Sequence, residues 1–252
     1  VKWDMNRYMS EVGSAALPAE RQGEVYHRYI LGLYYVLETL TCKYPDVLFE
    51  SCASGGGRFD PGMLYYMPQV WTSDNSDAVD RLRIQYGTSM VYPYSSMSAH
   101  VSVCPNHTQG RITPFEMRCN VAMPGQLGFE LNIGNCTESE LEMSRKTIAK
   151  YRELEDVFHK GDLYRLVSPF EKDYSALEFI SEDKNRVILC LDSQRGLFNG
   201  PDQYVKLLAL DPDGLYKCGE KTYYGEYLMN VGVHFCNKRE HISEMLIFDK
   251  IN

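Results

Sequence analysis

Two aspartates offer the first chemistry in this chain. The segments Lys2-Trp3-Asp4-Met5-Asn6-Arg7 and Trp71-Thr72-Ser73-Asp74-Asn75-Ser76-Asp77 each set a carboxylate at the end of a short strand-like run, ringed by polar groups a sugar could use. Side chains alternate along a strand, so Lys2, Asp4 and Asn6 share one face and Trp3 and Met5 the other. A cation two residues from a carboxylate on one face favours its ionised form, which a nucleophile or charge stabiliser needs. Asp74 follows Val70-Trp71, and partial burial against that apolar wall would favour the protonated form a proton donor needs. Two carboxyls driven apart in this way are the equipment for glycoside hydrolysis. Spacing alone leaves the plainer reading open, because aspartates at strand ends and helix starts are commonly caps or solvated loop charges. Asp77 and Asp80 are expected to be of that plainer kind.

Further polar groups cluster in Ser51-Cys52-Ala53-Ser54-Gly55-Gly56-Gly57-Arg58. The glycines either let backbone approach a ligand closely, with positive φ where needed, or form only a tight strand-to-helix turn. A phosphate-binding loop is excluded, since the Lys-Ser/Thr ending is missing. No histidine adjoins Cys52, so a buried wall contact is expected there rather than a nucleophile. Arg58 either pairs with a carboxylate or anchors the loop. Trp71 suits stacking on an apolar sugar face and suits a strand core equally, whereas Trp3 belongs between strand and helices. His100, Cys104 and His107 lack the second pair of ligands that zinc sites take, so no metal and no cofactor is expected. His107 is expected to pack beneath a pocket.

The elements that must position these groups alternate. A helix is expected from Ala19 to about Lys43, with Val25, Tyr29, Leu33, Val36 and Leu40 at helical spacing and Pro45 beyond its end. Strands are expected at 47–50, 69–72, 98–103 and 125–131, and helices at 76–87, 113–122 and 137–158. Such alternation is the mark of β-α units in a parallel sheet. After Lys160 the pattern changes to short apolar runs at 174–180, 186–191, 204–210 and 226–233. Turn-rich stretches such as Asp183-Lys184-Asn185 and Asp211-Pro212-Asp213-Gly214 separate them, as in an antiparallel β-sandwich.

Composition narrows the classes. The 252 residues allow one large or two ordinary domains. With 26 basic against 34 acidic residues, a net charge of −8 and no basic cluster, neither nucleic acid nor an anionic membrane is an expected partner. No apolar run approaches the ~20 residues that span a bilayer. The eight scattered cysteines lack the density of a disulfide scaffold, so reduced thiols in a cytoplasm are the expectation.

KWDMNR, SCASGGGRFD, WTSDNSDAVDRLRIQYGTSMVYP, HVSVCPNHTQGRITPFEMRCNVAMPGQLGFELN and the late LMNVG together resemble the alpha-galactosidases of glycoside hydrolase family 36. The resemblance runs from Val1 to about Asn132 and more weakly beyond. It implies an α/β fold: a partial TIM (β/α)8 barrel of about strands four to eight over residues 1–159, then an antiparallel β-sandwich over 160–252. It implies Asp4 as nucleophile, Asp74 as acid/base, and Lys2, Asn6, Cys52 and Gly55 around a galactose pocket. Barrel sites lie at the C-terminal strand ends, where Asp4, Cys52 and Asp74 fall in succession. The implied activity is retaining hydrolysis of terminal alpha-galactosides of the melibiose or raffinose type. Alternatives are an alpha-N-acetylgalactosaminidase, a transglycosylating raffinose or stachyose synthase, or a noncatalytic remnant. Family members are often homo-oligomers. The chain reads as a piece of a longer protein, and residues 1–252 alone are expected to be poorly soluble or inactive, because five strands cannot close an eight-strand barrel.

Overall fold

A computed structural model describes residues 1–5, 10–53, 55 and 57–251. It divides into two compact units, Val1–Asp74 and Asn75–Asn252.

The first unit is built of β-α steps: β1 (Lys2–Asp4), α1 (Val25–Lys43), β2 (Glu50–Cys52), α2 (Pro61–Tyr66) and β3 (Gln69–Trp71). The strands run parallel in the order β1-β2-β3, with Asp4 beside Cys52 and Glu50 beside both Lys2 and Gln69. Helices cover one face, where Leu37 of α1, Met63 of α2 and the following Met67 pack with Phe49, and Trp3 joins them with its ring 6.3 Å from that of Phe49. Trp3 thus takes the helix side, which turns Lys2 and Asp4 to the other face. A 3-10 turn over Ala19–Glu24 replaces the expected start of α1. The expected strand at 47–50 begins only at Glu50, whose N–H donates to the Val1 carbonyl (2.8 Å); Val47 and Leu48 stay exposed. Helix α2 is an addition to the expected elements. Asp60 caps it by accepting from the Met63 N–H at 2.8 Å, and Pro61 opens its first turn.

The second unit opens with α3 (Ala78–Ser89), β4 (Met97–Ser102), α4 (Phe115–Ala122), β5 (Gln126–Glu130) and α5 (Glu138–Lys160), with β4 and β5 parallel. Asp77 is the N-cap of α3, accepting from the Val79 and Asp80 N–H groups at 3.0 Å each, and Arg111 pairs with it. Thr137 and Glu140 close a reciprocal capping box on α5.

Beyond α5 the chain is mainly antiparallel: β6 (Asp162–Val167), β7 (Tyr174–Ile180), β8 (Arg186–Ser193), β9 (Gln203–Val205), β10 (Leu215–Cys218), β11 (Lys221–Tyr224), α6 (Gly225–Asn230), β12 (Val233–Phe235) and β13 (Ser243–Lys250). Six strands form a sheet in the order β11-β10-β13-β8-β7-β6, and β12 pairs with β9. One face of the large sheet buries Ala176, Leu189 and Leu191 with Val205, Leu207, Leu228 and Phe235. The other face sets Phe179 and Ile188 against Leu154, Val157 and Phe158 of α5. The expected strand at 226–233 is largely a helical turn, α6, which drops Leu228 into the core while the Glu226 N–H donates to the Pro212 carbonyl (2.9 Å). The expected run at 204–210 keeps strand pairing only to Val205, and Ala209 takes a positive φ.

Two carboxyl groups are buried in this β-rich part. Glu178 on β7 points into the apolar core and accepts from the Leu208 N–H at 2.7 Å; burial pushes its carboxyl up to about 7. Asp192 on β8 accepts from the Ser243 hydroxyl at 2.6 Å, and burial likewise pushes it up to about 7. Both folded-state values are raised, so the protonated groups stabilise the fold, fully below the ordinary carboxylate range. That contribution is lost as pH rises through about 7. Thermal melts should therefore fall by roughly 5 °C or more between pH 5 and pH 8. Glu178→Gln, which keeps the acceptor for Leu208, should flatten that slope; an unchanged slope would contradict the assignment. Thr137→Ala should cost about 1 kcal/mol through the lost cap, measured by urea unfolding.

Candidate active site

On the face of β1–β3 turned away from the helices, residues two apart recur in register. Lys2 lies beside Glu50 and Glu50 beside Gln69; Asp4 lies beside Cys52, and one further step of the register sets Cys52 beside Trp71. The Lys2 ammonium sits 4.0 Å from Glu50 Oε1 and 5.3 Å from the centre of the Trp71 ring. Gln69 Nε2 donates to Glu50 Oε2 at 2.6 Å. The Trp71 indole N–H donates to Asp74 Oδ1 at 3.1 Å. The Lys2–Glu50 and Gln69–Glu50 contacts follow from side chains alternating on adjacent parallel strands whose axes are about 5 Å apart; the Lys2 ammonium reaches past β2 to Trp71, and the Trp71–Asp74 bond is local.

Asp74 lies three residues beyond β3 and is exposed. This corrects the expectation that an apolar wall would partly bury it. Val70 and Trp71 are themselves buried, and Trp71 meets the carboxyl with a polar N–H rather than with its hydrocarbon. Asp4, the last residue of β1, is exposed too. The Lys2 cation leans toward Glu50 and Trp71, so its nearest carboxylate is one that the sequence pattern did not single out.

Cys52 is 2 % exposed. Burial raises its thiol above the usual range, the Gly55 N–H and the Lys2 charge act the other way, and a hydrogen bond to Asp4 raises it further. A protonated thiol of this kind donates to the carboxylate and is no nucleophile at neutral pH. Cys52 is therefore a buried thiol and a hydrogen-bond partner of Asp4.

Gly55 has φ +81°, and a Cβ there would stand 2.6 Å from Ser73 Cα and 2.9 Å from the Thr72 carbonyl oxygen. The glycine lets the loop after β2 lie against the backbone that leads into Asp74. Arg58 anchors the same loop, its Nη2 donating to the Cys52 carbonyl at 2.7 Å and to the Trp3 carbonyl at 3.4 Å. Of the two roles open for Arg58, the contacts with backbone carbonyls favour the anchor. Asn6 lies outside the described residues.

Elsewhere, His107 is exposed rather than packed under a pocket. Its neighbour Asn106 organises that loop instead, accepting from the Thr108 and Gln109 N–H groups and donating to Ser76 and Ser102. His100 Nδ1 lies 3.5 Å from Glu130, and the Cys104 thiol donates to the Thr113 carbonyl. Among the described residues, no three His, Cys, Asp or Glu side chains converge as a metal ion would require. No helix among them is long and apolar enough to cross a membrane.

The residues that sequence reasoning missed are Glu50 and Gln69. The available signal was the repeated two-residue interval: Lys2 to Asp4, Glu50 to Cys52 and Gln69 to Trp71.

Comparison with known proteins places this arrangement. Residues 1–161 match the melibiase family model, and residues 174–248 match the glycosyl hydrolase family 36 C-terminal domain. Alpha-galactosidase AgaA of Geobacillus stearothermophilus is 51% identical over 234 residues, covering 92% of this chain and 32% of the relative. Solved structures of that enzyme in complex with raffinose and with stachyose align with TM-scores of 0.96 and 0.95 at 47% and 48% identity. Each covers 99% of this chain and 35% of the solved one. The chain thus spans about a third of the length of the curated relatives it matches. Its fold class is α/β, the β-α units of a partial TIM (β/α)8 barrel, followed by an antiparallel β-rich domain. With the family model covering most of the chain and the strand-end aspartates in the β-α units, the chain belongs to the melibiase family, the alpha-galactosidases of glycoside hydrolase family 36.

Proposed function

We propose that this chain carries the two reacting carboxyl groups of a retaining alpha-galactosidase, acting on terminal alpha-galactosyl residues of raffinose-type oligosaccharides. The observation that carries the reading is the pair Asp4 and Asp74, one ending β1 and the other three residues beyond β3, with Cys52 ending the strand between them. The two AgaA complexes add support. In the raffinose complex an aspartate is replaced by asparagine, and in the stachyose complex another aspartate is replaced by alanine. Those two aspartates lie as many residues apart in that enzyme as Asp4 and Asp74 do here.

Asp4 attacks the anomeric carbon as its carboxylate, forming a glycosyl ester as the bond to the leaving oxygen breaks. Asp74 gives its proton to that oxygen. Asp74 then takes a proton from water, which attacks the anomeric carbon and releases Asp4, so that two inversions give net retention. Strands β1 and β3 flank β2 at about 5 Å on either side. A retaining mechanism requires the two carboxyl groups to lie about 5–5.5 Å apart, against ~6.5–9.5 Å for inversion.

Lys2, Asn6, Cys52 and Gly55 belong to the galactose pocket in this reading, Gly55 by shaping the loop. Residues 1–159 are the barrel portion and 160–252 a β-sandwich domain with a packing role. The eight unpaired cysteines support a cytoplasmic setting. The resemblance to the family supports a homo-oligomer in the full-length protein.

Three outcomes test this reading. In the full-length protein, Asp4→Asn should abolish hydrolysis of an aryl alpha-galactoside, and Asp74→Asn should slow it by about 10²–10⁴-fold. Activity untouched by either change would put the site elsewhere. Gly55→Ala should raise KM and lower kcat together, because the added methyl group displaces the backbone leading to Asp74; wild-type kinetics would contradict that placement. Residues 1–252 expressed alone should show no turnover, and full activity from that piece would overturn the claim that the rest of the barrel is needed.

A further inference from the structure

Glu50 has no place in the reaction just described, yet it stands at the centre of the polar row across β1, β2 and β3. Its Oε2 is held by the Gln69 amide at 2.6 Å, and its Oε1 lies 4.0 Å from the Lys2 ammonium. Its side chain is 17% exposed, against 48% for that of Lys2. A carboxylate so sheltered keeps more of its attraction for a nearby cation than an exposed one does. The lysine has a long, flexible stem and no fixed geometry of its own. What restrains it here is Glu50 on one side and, 5.3 Å from the ammonium, the Trp71 ring on the other. Trp71 in turn donates its indole N–H to Asp74.

We propose that Glu50, clamped by Gln69, is a positioning residue that fixes the Lys2 ammonium above the Trp71 ring and so presets the sugar-binding side of the pocket. The proposal rests on the reading of Lys2 as a pocket residue and of Asp74 as the acid/base. It assigns Glu50 no contact with the reacting atoms. The sequence prepares the clamp in a simple way: Lys2, Glu50 and Gln69 occupy one register row, immediately behind the row of Asp4, Cys52 and Trp71. Charge and amide lie one step deeper in the sheet than the reacting groups, where they orient a cation without competing for the substrate.

The test is steady-state kinetics of the full-length protein with an aryl alpha-galactoside, using Glu50→Gln, Gln69→Met, Lys2→Gln and the double variant of Glu50 and Lys2. Glu50→Gln keeps the shape and an acceptor for Gln69 but removes the charge. It should raise KM roughly tenfold, the loss of about one charge-assisted hydrogen bond, while kcat stays within about twofold. Gln69→Met, which keeps the charge and loosens it, should raise KM by a smaller factor. In the Lys2→Gln background Glu50→Gln should add almost nothing, because both changes remove one interaction. Thermal melts of each variant separate these effects from loss of fold. Additive effects of the two changes, or a wild-type KM in folded Glu50→Gln, would overturn the positioning role while leaving the galactosidase reading intact. An inactive wild type would overturn that reading, and the positioning role with it.

Discussion

Everything proposed for this chain depends on the in-register parallel pairing of β1, β2 and β3. Because side chains alternate along each strand, one register decides which residues meet the helices and which meet each other on the opposite face. With Lys2 beside Glu50 and Asp4 beside Cys52, the apolar partners Trp3 and Phe49 fall on the helix side and pack together. A slip of one residue would send Asp4 among the helices and Trp3 toward the pocket. The apolar cluster of α1, α2 and the backs of the strands therefore does more than stabilise the unit. It holds the register that brings the polar row together.

The loop after β2 is the second constraint. Gly55 allows it to lie against Thr72 and Ser73, and Arg58 ties it to the carbonyls of Cys52 and Trp3. The position of Asp74 is thus set by backbone packing and by one indole hydrogen bond, while Asp4 is set by its strand. The two carboxyls have different neighbours, an indole donor for Asp74 and a thiol for Asp4. The β-rich remainder is built on another principle, two buried carboxyls in a close-packed core.

The sequence made much of this legible, and the failures are physical. Helices α1 and α5 were readable because each turns a periodic apolar face inward, and strands β7 and β8 because burial of both faces leaves a near-continuous apolar run. The proposal of Asp4 and Asp74 rests on the family motifs around them. Strand β2 was displaced because Val47 and Leu48 have the apolar character of a strand yet stay exposed, the Val47 N–H donating back to the Tyr44 carbonyl as in a turn. Helix α6 was mistaken for a strand because a single turn that buries Leu228 carries too little periodicity to tell the two apart. Strands β12 and β13 went unread as distinct elements because they pair with the distant β9 and β8, while the β10–β11 hairpin is local but carries little apolar alternation. Glu50 and Gln69 were overlooked because a charge and an amide on short strands look like ordinary solvated groups until the register of three separate segments is known.

The central claim is that Asp4 forms a covalent bond to the sugar. Its most direct test is to treat the full-length protein with a fluorinated galactosyl fluoride, which forms the ester quickly and releases it slowly, and to map the labelled peptide by mass spectrometry. The account predicts one label per active site, on Asp4, and none in Asp4→Asn. A label on another residue, or none in an enzyme that inactivates normally, would contradict it.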